Sequence, residues 1–342
     1  MAKYPNSDAE LTSDKEPYYM ALFGSLIANL HKNSFVAAWN FTRNNDLLIS
    51  VNWIDINFRS YIINCDTGVL RNVHEALTVV LSDQRIFRSV GNINKLIYLD
   101  EPNYYHEVLG RAKNLNEIVF DKDRIQLHSR LYILCISFIF LHEAAHLING
   151  HAPYTFAHGA KKFVEGELNN LTPLDMQTLE MDADCCAFMW LLHMLLLPSS
   201  KTMLPEFVSK ESDIILITQF ISEFLFSCYF IKRHKDLNTT KQAPHPNAAT
   251  RNKFCLDTGE RYCEIHRRDL LNIYKKMRQE AIKFRNFAVE RNIFSSEDVI
   301  RDNEWILSKE AENYQSEILS NWDLWIPRLR NFADKGLAPA ST

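Results

Sequence analysis

The sequence predicts a mainly α-helical protein with a small β section in its N-terminal half, an α+β fold. Two short segments before residue 70, at 46–53 and 59–65, are rich in β-branched and aromatic residues. From about residue 124 onward, apolar residues recur with helical spacing. With 342 residues, of which 46% are hydrophobic and 23% charged, the chain is long enough to bury a sizeable core.

Composition divides the chain into four segments. The first 16 residues are polar and acidic, and they predict a disordered tail. Residues 17–122 form an N-terminal α/β section that opens with an amphipathic helix over 17–32. Residues 123–335 form a helical domain, and the small residues of 336–342 predict a flexible tail.

Local signals place the elements within these segments. In the β section, Asp66-Thr67-Gly68 indicates a turn after the second strand, and 95–99 is a further candidate strand. Gly150 is a favourable stop for the first long helix, and Thr172-Pro173 is a favourable start for the second. The predicted helices cover about 124–149, 172–197, 212–233, 266–292 and 296–320.

Charge and cysteine usage narrow the functional classes. The net charge is −4, which gives no indication of nucleic-acid binding. The seven cysteines are odd in number and widely spaced, and the N-terminus lacks the apolar core of a signal peptide. We therefore expect free thiols in a cytoplasmic protein, and the oligomeric state stays open.

No segment is expected to form a stable membrane span. The apolar run 131–141 has about half the length that a spanning helix needs. The run 214–231 is long enough, but Gln219 and Glu223 interrupt it. Both runs are interpreted as buried helices.

The principal chemical motif is HEAAH at 142–146. Four residues make about one helical turn, so His142 and His146 project from one face, roughly 6 Å apart along the axis. Two imidazoles spaced in this way can bind one Zn²⁺, and the adjacent Glu143 can act as a general base for hydrolysis. An unpaired glutamate would be costly on so apolar a helix, which favours a metal over two ordinary core histidines.

A catalytic zinc usually has three protein ligands, so a third donor is needed. His151 lies at an unfavourable offset from the motif and is interpreted chiefly as a surface residue past the helix end. Glu180 is the better candidate, because it lies in the segment LEMDADCCA whose apolar neighbours predict burial. Asp184 shares its helix face and could orient a ligating imidazole, whereas Asp182 is expected on the opposite, solvated side.

A third element, PHPNAATR at 244–251, follows farther along the chain. His245 could donate a hydrogen bond to an oxyanion, and Arg251 could pair with an acid such as Asp184. Residue chemistry alone leaves a loop histidine and a surface arginine as the simpler interpretation.

Taken together, HEAAH (142–146), EMDAD (180–184) and HPNAATR (245–251) resemble gluzincin-type metallopeptidases, in which HExxH, Glu-x-x-Ala-Asp and His-Pro with a following Arg occur in this order. Within that group, the short gap between the first two elements and the run HEAAHLINGHAP are similar to the phage-exclusion protein Lit family of peptidases. The resemblance covers mainly residues 130–255.

The resemblance implies a gluzincin-like helical catalytic core with one zinc ion, and an intracellular role in phage defence through cleavage of a host translation factor. It implies the following roles: His142, His146 and Glu180 as zinc ligands, Glu143 and His245 as catalytic residues, and Asp184 and Arg251 as supporting residues. Two alternatives stay open. One is a membrane-associated processing metallopeptidase, and the other is a non-enzymatic binding protein stabilised by zinc.

Overall fold

The computed structural model describes a defined part of the chain: residues 36–42, 49–55, 60–83, 85–91, 121–160, 163–164, 171–197, 208, 210–229, 237–290 and 296–333. Four predicted features lie outside the described residues: the tail 1–16, the helix 17–32, the strand 95–99 and the tail 336–342.

A small sheet forms the β section. Within the described residues its strands are β1 (Val36–Thr42), β2 (Ile49–Asp55), β3 (Ser60–Asp66) and the two-residue β4 (Phe163–Val164). Their spatial order is β1-β3-β2-β4, with β1 parallel to β3 and with β2 antiparallel to both β3 and β4. The two predicted strands correspond to β2 and β3, whereas β1 and β4 were not predicted.

The turn predicted at Asp66-Thr67-Gly68 is wrong. Helix α1 (Thr67–Leu81) begins directly after β3, with Asp66 as its N-cap residue. Thr67 and Gly68 are buried, and the following apolar side chains pack into the main core. Tertiary burial therefore overrides the local turn preference of this tripeptide.

Helices make up most of the remaining described structure, which confirms the mainly α class with a small β section. They are α2 (Lys122–Ile148), α3 (His151–Ala157), α4 (Pro173–Leu196), α5 (Glu211–Phe224), α6 (Leu237–Gln242), α7 (Ala248–His266), α8 (Leu271–Glu290), α9 (Ser296–Ile306) and α10 (Lys309–Leu329).

Three predicted helices differ from the observed ones. The helix predicted over 212–233 is α helical only to Phe224 and continues as a π-helical turn, Leu225–Tyr229. The helix predicted over 266–292 begins at Leu271, since His266 is the last residue of α7. The helix predicted over 296–320 is two helices.

The break between α9 and α10 has a local cause that the apolar spacing does not reveal. The Ser308 hydroxyl accepts a hydrogen bond from the Ala311 backbone N–H at 3.0 Å and starts α10 as an N-cap.

Helix α2 runs through the core and positions the chemically interesting residues. Its side chains are buried on almost every side from Leu131 to Ile148. Among the described helices, α2 alone has the length and apolar composition to cross a membrane, and 94% of its most apolar window is buried inside the protein. Core helices meet the same two criteria.

A second apolar cluster joins α4, α7 and α10. It contains Leu179 and Met181 of α4, Phe254 of α7, and five residues of α10: Tyr314, Ile318, Trp322, Trp325 and Leu329. Helix α4 is therefore packed against α7 and α10 as well as against α2.

Candidate metal centre

The first part of the site lies in the last two turns of α2. The helix begins at a cap in which the Asp121 side chain accepts a hydrogen bond from the Arg124 N–H at 2.9 Å. His142, Glu143 and His146 are all buried, with exposed fractions of 1%, 3% and 0%. The helical spacing predicted from the sequence is therefore present in a solvent-poor environment.

Helix α4 contributes the acidic residues. It begins with a capping box between Thr172 and Asp175 and has Pro173 in its first turn. Where α4 packs on α2, Ala145 and Ala183 are buried against each other. Such small side chains let the two helices approach closely, which brings Glu180 to the histidines.

Helix α7 contributes the third element. The Asn247 side chain caps it by accepting a hydrogen bond from the Ala249 N–H at 2.8 Å. Both His245, just before the helix, and Arg251, in its first turns, are buried. The simpler interpretation of a surface arginine is thus wrong for Arg251.

Three donor groups converge between α2 and α4. The Nε2 atoms of His142 and His146 lie 3.2 Å apart. One Glu180 oxygen lies 3.4 Å from His142 Nε2, and the other lies 3.3 Å from His146 Nε2. The three donors lie within 4.8 Å of one another, and this buried group can hold a metal ion.

The donor separations fit a tetrahedral metal. Ligand atoms about 2.05 Å from a tetrahedral zinc are separated by roughly 3.3 Å. The two Nε2 atoms are 3.2 Å apart, and the Glu180 carboxylate approaches each of them with a different oxygen, at 3.4 and 3.3 Å. Two imidazoles and a carboxylate are also a donor set that zinc accepts in catalytic sites.

The charge balance of the region also suits a cation. Glu143, Glu180, Asp182 and Asp184 are buried acids, and Arg251 contributes one buried positive charge. Buried carboxylates need compensating charge or hydrogen bonds. A divalent cation would supply that compensation at the donors.

The protonation of the donors favours metal binding. Burial lowers the pKa of His146 to about 4, so its imidazole is neutral near pH 7. Burial alone would raise the pKa of Glu180, but His245 and His142 outweigh it and hold that pKa well below its usual range. Neutral imidazoles and an ionised carboxylate are the forms that bind a metal.

The second nitrogen of His142 faces a supporting carboxylate. His142 Nδ1 lies 2.9 Å from an Asp184 oxygen. Arg251 donates hydrogen bonds to both Asp184 oxygens, at 2.6 and 2.9 Å, and to Glu180 at 3.3 Å. The attraction of Arg251 overcomes burial and lowers the pKa of Asp184. Both predicted contacts of Asp184 are therefore present.

The remaining predicted residues are Glu143 and His245. Glu143 is buried near the end of β3, where its charge adds to burial in raising the pKa of the Cys65 thiol. His245 Nδ1 lies 3.2 Å from Glu180 Oε2. Every predicted residue is therefore buried, and the contacts between α2, α4 and α7 join His142, His146, Glu180, Asp184, His245 and Arg251.

Two residues that the sequence interpretation set aside also belong to this region. His151 was expected at the surface, but it is fully buried, and its Nδ1 lies 3.0 Å from His146 Nδ1. Asp182 was expected in solvent, but it is 6% exposed and lies 3.1 Å from His151 Nε2. Both expectations are wrong because the two side chains lie against each other, and His151 also packs against Trp322 of α10.

The burial of His151 has a local signal in the sequence, the turn-forming dipeptide Asn149-Gly150 that precedes it. Gly150 has φ of +86°, a left-handed conformation that favours glycine, and it turns the chain from α2 into α3. This turn brings His151 back to the last turn of α2.

Fold and donor set together define a mainly helical protein with a buried site able to hold a metal ion. Residues 98–258 match the family model described as Peptidase U49, which supports a peptidase and therefore a hydrolase that acts on protein. The matched segment includes α2, α4 and the first half of α7. No curated protein and no solved structure matches the chain.

Proposed function

We propose that this protein is a zinc-dependent endopeptidase with His142, His146 and Glu180 as the metal ligands. The observation that carries the proposal is the convergence of two Nε2 atoms, 3.2 Å apart, and one carboxylate whose two oxygens lie 3.4 and 3.3 Å from them, close enough for one metal ion to bind all three groups. The peptidase family match supports the reaction class. When bound, zinc would supply a Lewis acid that polarises a carbonyl and makes water more acidic.

Glu143 would serve as the general base and acid. Its carboxylate takes a proton from the attacking water while the water oxygen forms a bond to the peptide carbon. The same group then gives that proton to the nitrogen as the C–N bond breaks. The products are one new carboxylate and one new amine, so water is the only co-reactant.

His245 and Arg251 would support this step from α7. A histidine N–H can donate to the oxygen on which negative charge develops, provided that the ring is held in place. His245 is buried beside Glu180, and Arg251 ties the start of α7 to Asp184 and Glu180. We propose that this tie sets the position of His245.

The substrate proposal rests on the resemblance of the three motifs to the phage-exclusion Lit family. We propose an intracellular protein substrate in the cytoplasm, a host translation factor, cleaved during phage defence. The described residues of the site are nearly all buried, so a substrate requires access that opens when a trigger or the substrate itself binds.

The test compares new protein N-termini in cells that express wild-type protein or Glu143→Gln, with and without phage infection. We expect cleavage products in the wild-type cells and a decrease of roughly 10²–10⁴ in their rate of formation with the variant. The variant should bind zinc like the wild type, measured by metal analysis of the purified protein. Equal cleavage by both proteins would refute the role of Glu143.

One observation favours a second candidate function, a non-enzymatic zinc-stabilised protein. A structural zinc site has four protein ligands, and buried His245 lies next to the three donors. If His245 were the fourth ligand, the site would be closed and would stabilise the fold.

His245→Ala separates the two functions. The peptidase proposal expects zinc affinity within a few-fold of wild type and a loss of cleavage, because His245 acts on the substrate. The structural alternative expects zinc affinity and thermal stability to fall together. Competition with a chelating dye and a thermal melt measure these two quantities.

A further inference from the structure

The two histidines of the donor set have different environments at their second nitrogens. His142 Nδ1 faces the Asp184 carboxylate directly at 2.9 Å. His146 Nδ1 faces a second imidazole instead, that of His151, at 3.0 Å. His146 and His151 are both 0% exposed, so solvent does not reach the contact between their rings.

The proton positions in this pair follow from the donor geometry. His146 Nε2 is directed at His142 and Glu180, and it must carry no proton if it is to bind a metal. A neutral His146 then carries its proton on Nδ1 and donates to His151 Nδ1. A neutral His151 must in turn carry its proton on Nε2, the atom 3.1 Å from the Asp182 carboxylate.

Asp182 is itself held in place. The Asn149 side-chain amide donates to Asp182 Oδ2 at 2.5 Å and approaches Cys186 Sγ at 3.1 Å. Asn149 directly precedes Gly150, whose left-handed turn brings His151 under α2. A Cβ at Gly150 would lie 2.7 Å from the Ala333 backbone nitrogen, so close packing also favours glycine here.

We propose that His151 and Asp182 are positioning residues that fix the tautomer and ring orientation of His146 and thereby raise the affinity of the site for a divalent metal. The inference rests on the proposed metal site and assigns two further residues to it. A carboxylate behind a ligating histidine is a general means of orienting the ring. Here one imidazole is inserted between the ligand and its carboxylate, so the support spans two side chains.

The experiment measures the zinc dissociation constant of purified variants by competition with a chelating dye. His151→Phe keeps the ring volume and removes both polar contacts, and we expect zinc to bind about 10–100-fold more weakly. His151→Gln keeps an acceptor for His146 and a donor for Asp182, and we expect affinity within a few-fold of wild type. If His151 served only to fill space, His151→Phe would bind zinc at least as tightly as His151→Gln, which is the reverse of the expected order.

A control variant shows whether replacing any buried histidine by Phe weakens zinc binding. His128 is buried in α2, the helix that also carries His142 and His146, but it lies more than three turns before them. Its Nε2 lies 3.0 Å from the Thr78 hydroxyl. His128→Phe should change stability without changing zinc affinity. The absorption spectrum of the Co²⁺-loaded protein should change for His151→Phe and stay unchanged for His128→Phe.

Each outcome decides the inference. Equal zinc affinity of His151→Phe and wild type would overturn it while leaving the metal site intact. If His151→Phe does not fold by circular dichroism, the decision passes to Asp182→Asn, for which we expect about tenfold weaker binding. Unchanged affinity of that variant also overturns the inference. If wild-type protein fails to bind zinc, the proposed function itself fails, and the inference fails with it.

Discussion

Two neighbouring turns of α4 bury polar side chains in different arrangements. In the earlier turn, Gln177 donates to the carbonyls of Thr240 and Ala243 at 2.7 Å and accepts from the Tyr314 hydroxyl at 2.9 Å. One turn later, Glu180 directs its two oxygens toward His142 and His146.

The difference separates a structural polar network from a candidate site. Around Gln177, donors and acceptors are paired with each other, and the network needs no further group. Around Glu180, several groups that can all act as acceptors converge on one point, which is an arrangement suited to a cation. Burial alone therefore does not mark function, whereas convergence of lone pairs does.

Removing the buried arginine should give the largest loss of stability. Arg251→Met leaves the carboxylates of Asp184 and Glu180 without their cation, and we expect about 3–5 kcal/mol lower free energy of unfolding. Urea denaturation of the metal-free protein measures this loss. The matched control Arg278→Met, which breaks partly exposed pairs with Asp257 and Glu260, should cost at most about 1 kcal/mol. Similar losses of stability in both variants would contradict the role of Arg251 as the cation that neutralises the buried Asp184 and Glu180 carboxylates.

Neutralising the acidic donor should abolish tight metal binding with a smaller effect on folding. In Glu180→Gln we expect zinc affinity to fall by more than about a hundredfold. This loss exceeds the roughly 10–100-fold that is typical when a residue supporting a metal ligand is removed. Isothermal titration with zinc measures the change. Glu223 is a fully buried glutamate of α5, and Glu223→Gln should leave the affinity unchanged. Normal binding by Glu180→Gln would exclude Glu180 as a ligand.

The Gln177 turn of α4 should respond in the opposite way. Tyr314→Phe removes the hydrogen bond to Gln177 and leaves a buried acceptor unsatisfied, which should cost about 1–3 kcal/mol of stability. Zinc affinity should not change, because this network does not reach the donors. A zinc affinity that falls in parallel with stability would show that the Gln177 network and the metal donors are coupled.

The smallest effect should be a pH dependence at the start of α4. Burial would raise the pKa of Asp175, but hydrogen bonds from Thr172, Trp325 and Asn321 outweigh it and lower that pKa below its usual value of 3.8. A lowered pKa in the folded state adds stability above pH 3.8, and this contribution is lost as pH falls through the folded pKa. Asp175→Asn should therefore lose about 1 kcal/mol at pH 7 and less near pH 2. Thermal melts across this range measure the change.

Local signals in the sequence predicted the part of the fold that carries the donors. Helices α2 and α4 begin and end within two residues of their predicted limits, since Thr172, Pro173 and Gly150 act through the backbone of their own turns. Helix α7 was missed as a separate element, because it starts at a cap on Asn247 and is only partly apolar. Its packing against α4 and α10 stabilises it, and no local pattern records that packing.

The site was predicted where its spacing follows helix geometry and missed where it depends on tertiary packing. His142, His146, Glu180 and Asp184 are each one turn from a partner on the same helix. Asp182 lies off that face, and it is buried beside His151 of α3, which itself packs against Trp322 of α10. Sequence reasoning that assumes one buried face per helix cannot identify such a residue.

The most direct measurement of the central claim is a crystal structure of the zinc-loaded protein with anomalous data on both sides of the zinc absorption edge. We predict one anomalous peak within bonding distance of His142 Nε2, His146 Nε2 and the Glu180 carboxylate, with one coordination position held by no protein atom. A peak elsewhere, or no peak between these three residues, would contradict the account.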